Sequence, residues 1–393
     1  MTNYLNDNFS NGHSIDGLKL WNALQPHIEK GDLVVNVGLG DREGLVLVTY
    51  SKTYQYEHNN VDWEPLVKHT RGIIFDATNN YEIVALPFSK FFNLGEGAIH
   101  YPSDDATIES VFEKIDGSLG ICFQWKGKWH ITTRGSLNSD IGLVAQRMLD
   151  DIIESDTCAF LREDAESDYT FLFEIVYPEN QIVIKYDKAE LVYLGFRNIY
   201  NGDARYIGSE YPVDGVKWGI PAKYTFETKE EIVEWLNKTK GTEFEGVVVH
   251  FSDGSIFKIK SSDYMRLHRI VAQFTFKRVY EAVQMGTQDE IRKALPEELI
   301  PEFDKYISII NNHVNELVDA VLNAVKYAPK EDRKEFALYV TNHFKGSSVF
   351  RFVFKCLDLE SDKDKLKLHI INTLRYTDFE VEEEEIDEVN VHD

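Results

Sequence analysis

Residues 114–118 read Lys114-Ile115-Asp116-Gly117-Ser118, and three short apolar runs follow them: Phe173-Glu174-Ile175-Val176, Glu245-Gly246-Val247-Val248-Val249 and Phe257-Lys258-Ile259-Lys260. Each run has the length and the β-branched or aromatic content of a strand. The surrounding sequence extends the pattern. DLVVNVGLGDREGLVLVTY (32–50) is two β-branched runs around a glycine-rich turn, the signal for a hairpin. RGIIFD, YEIVALPF, GSLGICFQW, KWHITTRGS, YTFLFEIVY, QIVIKY, LVYLGFRNIY, EGVVVHF and SIFKIK are further runs separated by turn residues. SDIGLVAQRMLDDIIES and KEEIVEWLNKTKG have helical periodicity, so residues 31–260 are expected to be α+β with antiparallel sheets.

Beyond about residue 265 the period changes. YMRLHRIVAQFTFKRVYEAVQM, PEFDKYISIINNHVNELVDAVLNAV and DKLKLHIINTLRYT space their apolar residues near i, i+3/i+4, i+7. Pro296, Pro301 and Pro329 punctuate them, and Gly286 and Gly346 are expected helix stops. The expected organisation is a first domain over 1–265, an all-helical domain over 266–378 and a disordered acidic tail over 379–393.

Composition sets bounds. The 393 residues, 43% hydrophobic and 13% aromatic, are enough for two or three packed domains. Cys122, Cys158 and Cys356 are odd in number and have no metal-ligand spacing, so a reducing, cytoplasmic compartment is expected. No signal peptide and no membrane span is expected, and the chain is expected to be a monomer. Of the net charge of −24, about −8 falls in the last fifteen residues and about −1 in 271–378. Such a balance gives no support for sequence-blind binding to duplex, although a local basic cleft is compatible with it.

Alone, the pentapeptide has two readings. Asp-Gly is the commonest hairpin dipeptide, which would make Lys114 an exposed strand residue before a turn. The other reading puts Lys114 at a strand end inside a pocket, its amine attacking the α-phosphorus of a nucleoside triphosphate. Asp116 would then help hold a metal, and Gly117 would let the backbone approach the nucleotide. Lys258 and Lys260, two apart on a strand, share a face. They are either a solvated pair or a polyphosphate clamp whose charge depresses the Lys114 pKa. Glu174 and Glu245 open onto apolar neighbours. Each is a surface strand residue or, taken together, part of a hard oxygen site suited to Mg2+. Arg71 starts a strand beside Gly72, and Lys90 lies against Phe91 and Phe92; both cations are surface residues by default. GLGDREG (38–44) has the wrong spacing for a dinucleotide loop and reads as a hairpin turn. The twelve histidines contain no HExxH pair, so a zinc hydrolase is not expected.

Lys-x-Asp-Gly followed by FEIV, EGVV and KIK, in this order and spacing, resembles the covalent nucleotidyltransferase superfamily of ligases and RNA-capping enzymes. RGIIFD and KFFNLGE before the lysine, TTRGS after it and a helical C-terminal domain narrow the resemblance to the bacteriophage tRNA-repair, type-1 ATP-dependent RNA ligase family. The motifs span roughly residues 50–270. The resemblance implies an antiparallel-sheet nucleotidyltransferase (ATP-grasp-like ligase) domain followed by an all-helical C-terminal domain. It also implies ATP with Mg2+ (or Mn2+) as cofactors, and single-stranded RNA ends, such as cleaved tRNA, as partners. Lys114 would be the nucleophile, and Lys258 and Lys260 would contact the nucleotide phosphates. Asp116, Glu174 and Glu245 would position the hydrated metal and nucleotide, and Arg71, Lys90, Phe92, Gly117 and Arg134 would line the nucleotide pocket. Ile115, at the variable position, supplies no metal-water contact.

The reaction implied joins 5′-phosphate and 3′-hydroxyl RNA ends through lysyl-AMP and AppRNA, releasing diphosphate and AMP, in the cytoplasm of a host cell if the chain is phage-encoded. The alternatives are an RNA-capping or DNA-ligase relative and a catalytically inactive nucleotide-responsive RNA-binding protein. Capping enzymes and DNA ligases usually append an OB-type barrel after the KIK strand, where this chain has a helical pattern. An inactive relative would be expected to lose a charged motif residue, and none is missing.

Overall fold

The computed structural model describes residues 4–58, 63–96, 101–154, 168–206, 218–295 and 299–379. Cys158, Pro296 and the acidic run from residue 380 onward lie outside them. The chain divides between His268 and Arg269 into two compact units.

The first unit is built on three sheets. β1 (Leu33–Val37), β2 (Leu45–Tyr50), β3 (Arg71–Asp76) and β4 (Glu82–Ala85) form an antiparallel sheet in that order. The expected hairpin is β1–β2, and its turn holds a short 3-10 helix at Gly40–Arg42. All six residues of β2 are buried because both faces of this sheet are covered. Val46, Val48 and Tyr50 pack under the N-terminal helices with Leu20 and Leu24, while Leu45 and Leu47 face Ile121 and Phe123 of the next sheet.

That second sheet runs β11 (Ala204–Tyr206), β10 (Glu190–Asn198), β9 (Tyr169–Val176), β7 (Ser118–Trp125), β8 (Lys128–Thr133). Its far face is capped by the helix Asp140–Glu154 through Ala145, Leu149 and Ile152. The third sheet runs β12 (Lys223–Tyr224), β6 (Ile108–Lys114), β13 (Gly246–Phe251), β14 (Ile256–Lys260), β5 (Phe92–Asn93). Val247, Val249, Phe257 and Ile259 lie in one core with Ile232 and Leu236 of the helix Lys229–Leu236. The alternation of a strand turns Lys258 and Lys260 to the other face. Between the named strands pairing is antiparallel except for the two-residue parallel contact of β5 with β14, and an isolated parallel bridge joins Val192 to Gly219.

Two expectations are corrected. QIVIKY (181–186) is not a strand, because its backbone amides bind a side chain instead of a ladder. The single helical run over 264–285 is two helices, Ser262–Gln273 and Phe276–Met285, with Thr275 capping the second through Arg278 N–H.

The described residues of the second unit form helices and no strand. Ile300–Lys326 is its longest helix, and Phe303, Ile310, Val314, Val318 and Val321 form its buried stripe. Gly286 ends the helix Phe276–Met285 in the left-handed region, as a C-terminal glycine does. The helices Gln288–Ala294, Arg333–Phe344, Phe350–Asp358 and Lys363–Thr373 complete the described part. No described helix is long and apolar enough to cross a membrane.

Candidate active site

The pentapeptide is not a hairpin. Lys114 ends β6 in the third sheet and Ser118 begins β7 in the second, so the Asp-Gly step carries the chain from one sheet to the other. Gly117 makes this passage sterically open: a Cβ there would lie 2.6 Å from the Ile175 carbonyl oxygen and 2.9 Å from Val176 Cγ1. The demand on Gly117 comes from β9, where the sequence alone assigned it to the nucleotide.

Sheet register gathers the cations. Gly246 on β13 pairs with Lys114 of β6 on one side and with Lys260 of β14 on the other. Glu245, 2% exposed, precedes it. The Lys114 ammonium donates to Glu245 Oε2 at 2.9 Å and is also 2.9 Å from Oε1, while Lys260 Nζ is 3.2 Å from Oε1. Glu245 thus stands between the two lysines. A Cβ on Gly246 would overlap the Ile259 carbonyl, so the close row of three strands requires glycine there.

This arrangement overturns the expected depression of the Lys114 pKa. Burial pulls it down, but the charges of Glu245, Glu174 and Asp116 outweigh burial and hold the ammonium well above its ordinary value. Glu245 goes the other way: burial raises it, and Lys114 with Lys260 brings it below the usual carboxylate range. For Glu174, burial is the leading cause and the charge of Glu245 adds to it. Together they outweigh Lys114 and Arg71 and push the carboxyl up to about 7.

Asp116 holds structure together. It is 2% exposed. Its Oδ2 accepts from the amides of Val183 (2.9 Å) and Ile184 (2.8 Å), and its Oδ1 accepts from the Tyr264 hydroxyl at 2.7 Å. Its own N–H donates to Tyr186 Oη at 3.1 Å. Burial, with the nearby charge of Glu245, still raises its pKa against these donors. Both oxygens are engaged, and among the described residues no three His, Cys, Asp or Glu side chains are grouped to hold a metal ion. Asp116, Glu174 and Glu245, expected as a metal set, thus do not form a three-carboxylate cluster here, and both oxygens of Glu245 are likewise engaged, by Lys114 and Lys260. No hydrogen-bond donor reaches the Glu174 carboxylate among the described residues. Such hard oxygen donors fit a divalent cation that keeps most of its waters.

A second cluster adjoins through β5, where Phe92 pairs with Phe257 and Asn93 with Lys258. Lys90 is 5% exposed, with its ammonium 5.0 Å from the Trp63 ring centroid, 5.4 Å from Phe92 and 5.5 Å from Tyr50. A desolvated ammonium over an aromatic face gains about 2 kcal/mol, which offsets part of the cost of burying it. Arg134 lies over the same Tyr50 ring at 4.7 Å, and Lys258, also buried, lies 5.4 Å from the Phe91 ring. Arg71 begins β3 beside Gly72, which has φ +90°; a Cβ at Gly72 would meet Ile121 Cδ1 at 2.7 Å and the Arg134 carbonyl at 3.1 Å. The loop after Arg134 is held by Arg42, which donates to the carbonyls of Leu137 and Ile131.

Sequence reasoning missed Tyr50, Trp63, Tyr186 and Tyr264. Tyr264, four residues past Lys260, opens a helix as an aromatic residue with no apolar neighbour before it. Trp63 stands in the polar stretch EHNNVDWEP, an isolation that could have marked it. A cavity of about 310 Å3 lined by Asn11, Asp16, Asn79 and Glu82 lies elsewhere and contains none of these residues.

A family model described as RNA ligase matches residues 69–279, more than half of the chain. A protein of Autographa californica nuclear polyhedrosis virus, named as a bifunctional polynucleotide kinase/RNA ligase, is 32% identical over 223 residues. That alignment covers 52% of this chain and 31% of the viral protein. RNA ligase 1 of Bacteriophage TS2126 is 27% identical over 236 residues, covering 56% of this chain and 57% of its own length. The chain thus spans about a third of the first relative and just over half of the second. Among solved structures, an archaeal ATP-dependent RNA ligase aligns over 84% of this chain and 80% of its own at 13% identity, with a TM-score of 0.46. With its lysine, paired carboxylates and lysine-bearing strand all inside or beside the matched span, the chain belongs to the RNA ligase family.

Proposed function

We propose that this protein is an ATP-dependent RNA ligase that joins the 5′-phosphate and 3′-hydroxyl ends of single-stranded RNA. The observation that carries this reading is the row Lys114, Gly246, Lys260 across three strands, with Glu245 bonded to both lysines. It places one amine at the mouth of a strand end and a second cation beside it.

In this reading the first unit performs nucleotide transfer. Lys114 loses a proton, for which Glu245 at 2.9 Å is the nearest acceptor. The neutral amine then forms a bond to the α-phosphorus of ATP while the bond to the bridging oxygen breaks. Diphosphate leaves with that electron pair. Lys258 and Lys260 face the developing negative charge and stabilise it. Glu174 and Glu245 would hold a divalent cation, Mg2+ by preference, which would supply positive charge to the triphosphate and weaken the carboxylates' hold on Lys114. Lys90, Arg134 and Arg71 supply the remaining positive charge of the pocket, and Phe92 and Tyr50 its walls. The AMP next passes to an RNA 5′-phosphate, and a 3′-hydroxyl displaces it to close the phosphodiester.

The test is joining of labelled single-stranded RNA against nicked duplex and against DNA, each with ATP or GTP. Intramolecular and intermolecular joining of single-stranded RNA with ATP is expected. Preference for GTP would indicate a capping relative, and sealing confined to nicked duplex would overturn the reading.

A further inference from the structure

The Lys90 cage has one wall that touches the other two. Trp63 meets Tyr50 edge to face at 4.9 Å and 89°, and Phe92 at 5.8 Å and 74°. Its own orientation is fixed from behind: Nε1 donates to the His58 carbonyl at 3.1 Å, and Tyr54 packs on it at 5.1 Å and 81°. The Lys90 backbone N–H donates to the Lys68 carbonyl at 3.0 Å, so the lysine enters the cage from an anchored segment. Trp63 is only 3% exposed.

We propose that Trp63 is a positioning residue for nucleotide transfer: it holds the Lys90 ammonium at one fixed point of the pocket, where it meets a nucleotide phosphate. The inference rests on the function proposed above. Indole presents the strongest aromatic face to a cation, so the cage holds the Lys90 ammonium in place while it is buried. The other cations facing these rings are Arg134, over Tyr50, and Lys68, whose Nζ is 5.3 Å from Phe92. Both repel Lys90. Without Trp63 the ammonium loses its strongest aromatic contact, and this repulsion moves it from its place in the cage.

The experiment compares wild type, Trp63→Phe and Trp63→Leu in two readouts. The first is formation of the protein–AMP adduct from labelled ATP. Trp63→Leu should lower kcat/KM for ATP about 10-fold, mostly through a raised KM, and Trp63→Phe, which keeps a ring, should recover much of the loss. The second is the 13C-lysine spectrum of the free protein, where the ring currents shift the Lys90 ε-methylene; the shift should vanish in Trp63→Leu and persist in Trp63→Phe. Equal losses in both variants, with kcat and KM affected alike, would reduce Trp63 to a packing residue and overturn the proposal. No adduct from wild type would overturn the proposed function and the role of the cage with it. A shifted ε-methylene in that same protein would show that the cage exists and that the nucleotide chemistry is what failed.

Discussion

The Lys114 ammonium lies 2.9 Å from both carboxylate oxygens of Glu245, and Lys260 completes the group from the neighbouring strand at 3.2 Å. The residue read as the nucleophile is therefore held protonated in the free protein. Glu245→Gln should release it. Wild-type Lys114 should resist amine-directed reagents until the pH exceeds its reference value of about 10.4, and Glu245→Gln should bring that onset down. Peptide mapping after timed modification at several pH values checks this; an unchanged onset would contradict it.

Glu174 makes a stability prediction of definite sign. Its folded pKa of about 7 lies above the unfolded reference of about 4.3. The native state therefore binds the extra proton between those values, and stability falls as pH rises through that window. Glu174→Gln removes the effect. The variant should be more stable than wild type by about 4 kcal/mol at pH 8 and equal to it near pH 4, with adduct formation impaired. Urea unfolding in a chelator at both pH values measures the difference.

Asp116 should behave as a clamp. Tyr264→Phe removes one donor from a buried carboxyl and should cost about 1–3 kcal/mol. Asp116→Ala strands the amides of Val183 and Ile184 as well as the Tyr264 hydroxyl, and should cost more. Denaturant midpoints rank the two variants. If Asp116→Ala were as stable as wild type but failed to bind a divalent cation, Asp116 would be a metal ligand rather than a clamp.

Gly117→Ala should leave the sheets folded and displace the turn. Its Cβ meets the Ile175 carbonyl, a backbone atom that cannot swing away. Adduct formation should fall by about 100-fold, the scale expected when a reacting group is misplaced by about 1 Å. Circular dichroism with a rate measurement separates this from global unfolding.

How far the chain could be read without its structure follows from how local each signal is. The β1–β2 hairpin and the helix Ile300–Lys326 declare themselves, because period and turn chemistry are local properties. QIVIKY has the composition of a strand, but Val183 and Ile184 turn their amides to Asp116, more than sixty residues away in sequence. Lys258 and Lys260 were legible as a same-face pair. That Glu245 would sit between Lys260 and Lys114 was not, because it depends on the register of β13 against both neighbours. The Lys114 pKa was misjudged for this reason: spacing identifies the cations, while the order of strands decides which carboxylate reaches them first.

The central claim is that Lys114 becomes covalently linked to AMP. The direct measurement is incubation of the full chain with Mg2+ and α-labelled ATP, followed by peptide mass analysis. The expected result is an acid-labile AMP adduct on the peptide carrying Lys114, absent from Lys114→Ala and formed with release of diphosphate. Adduct on another residue, or label that persists in Lys114→Ala, would contradict it.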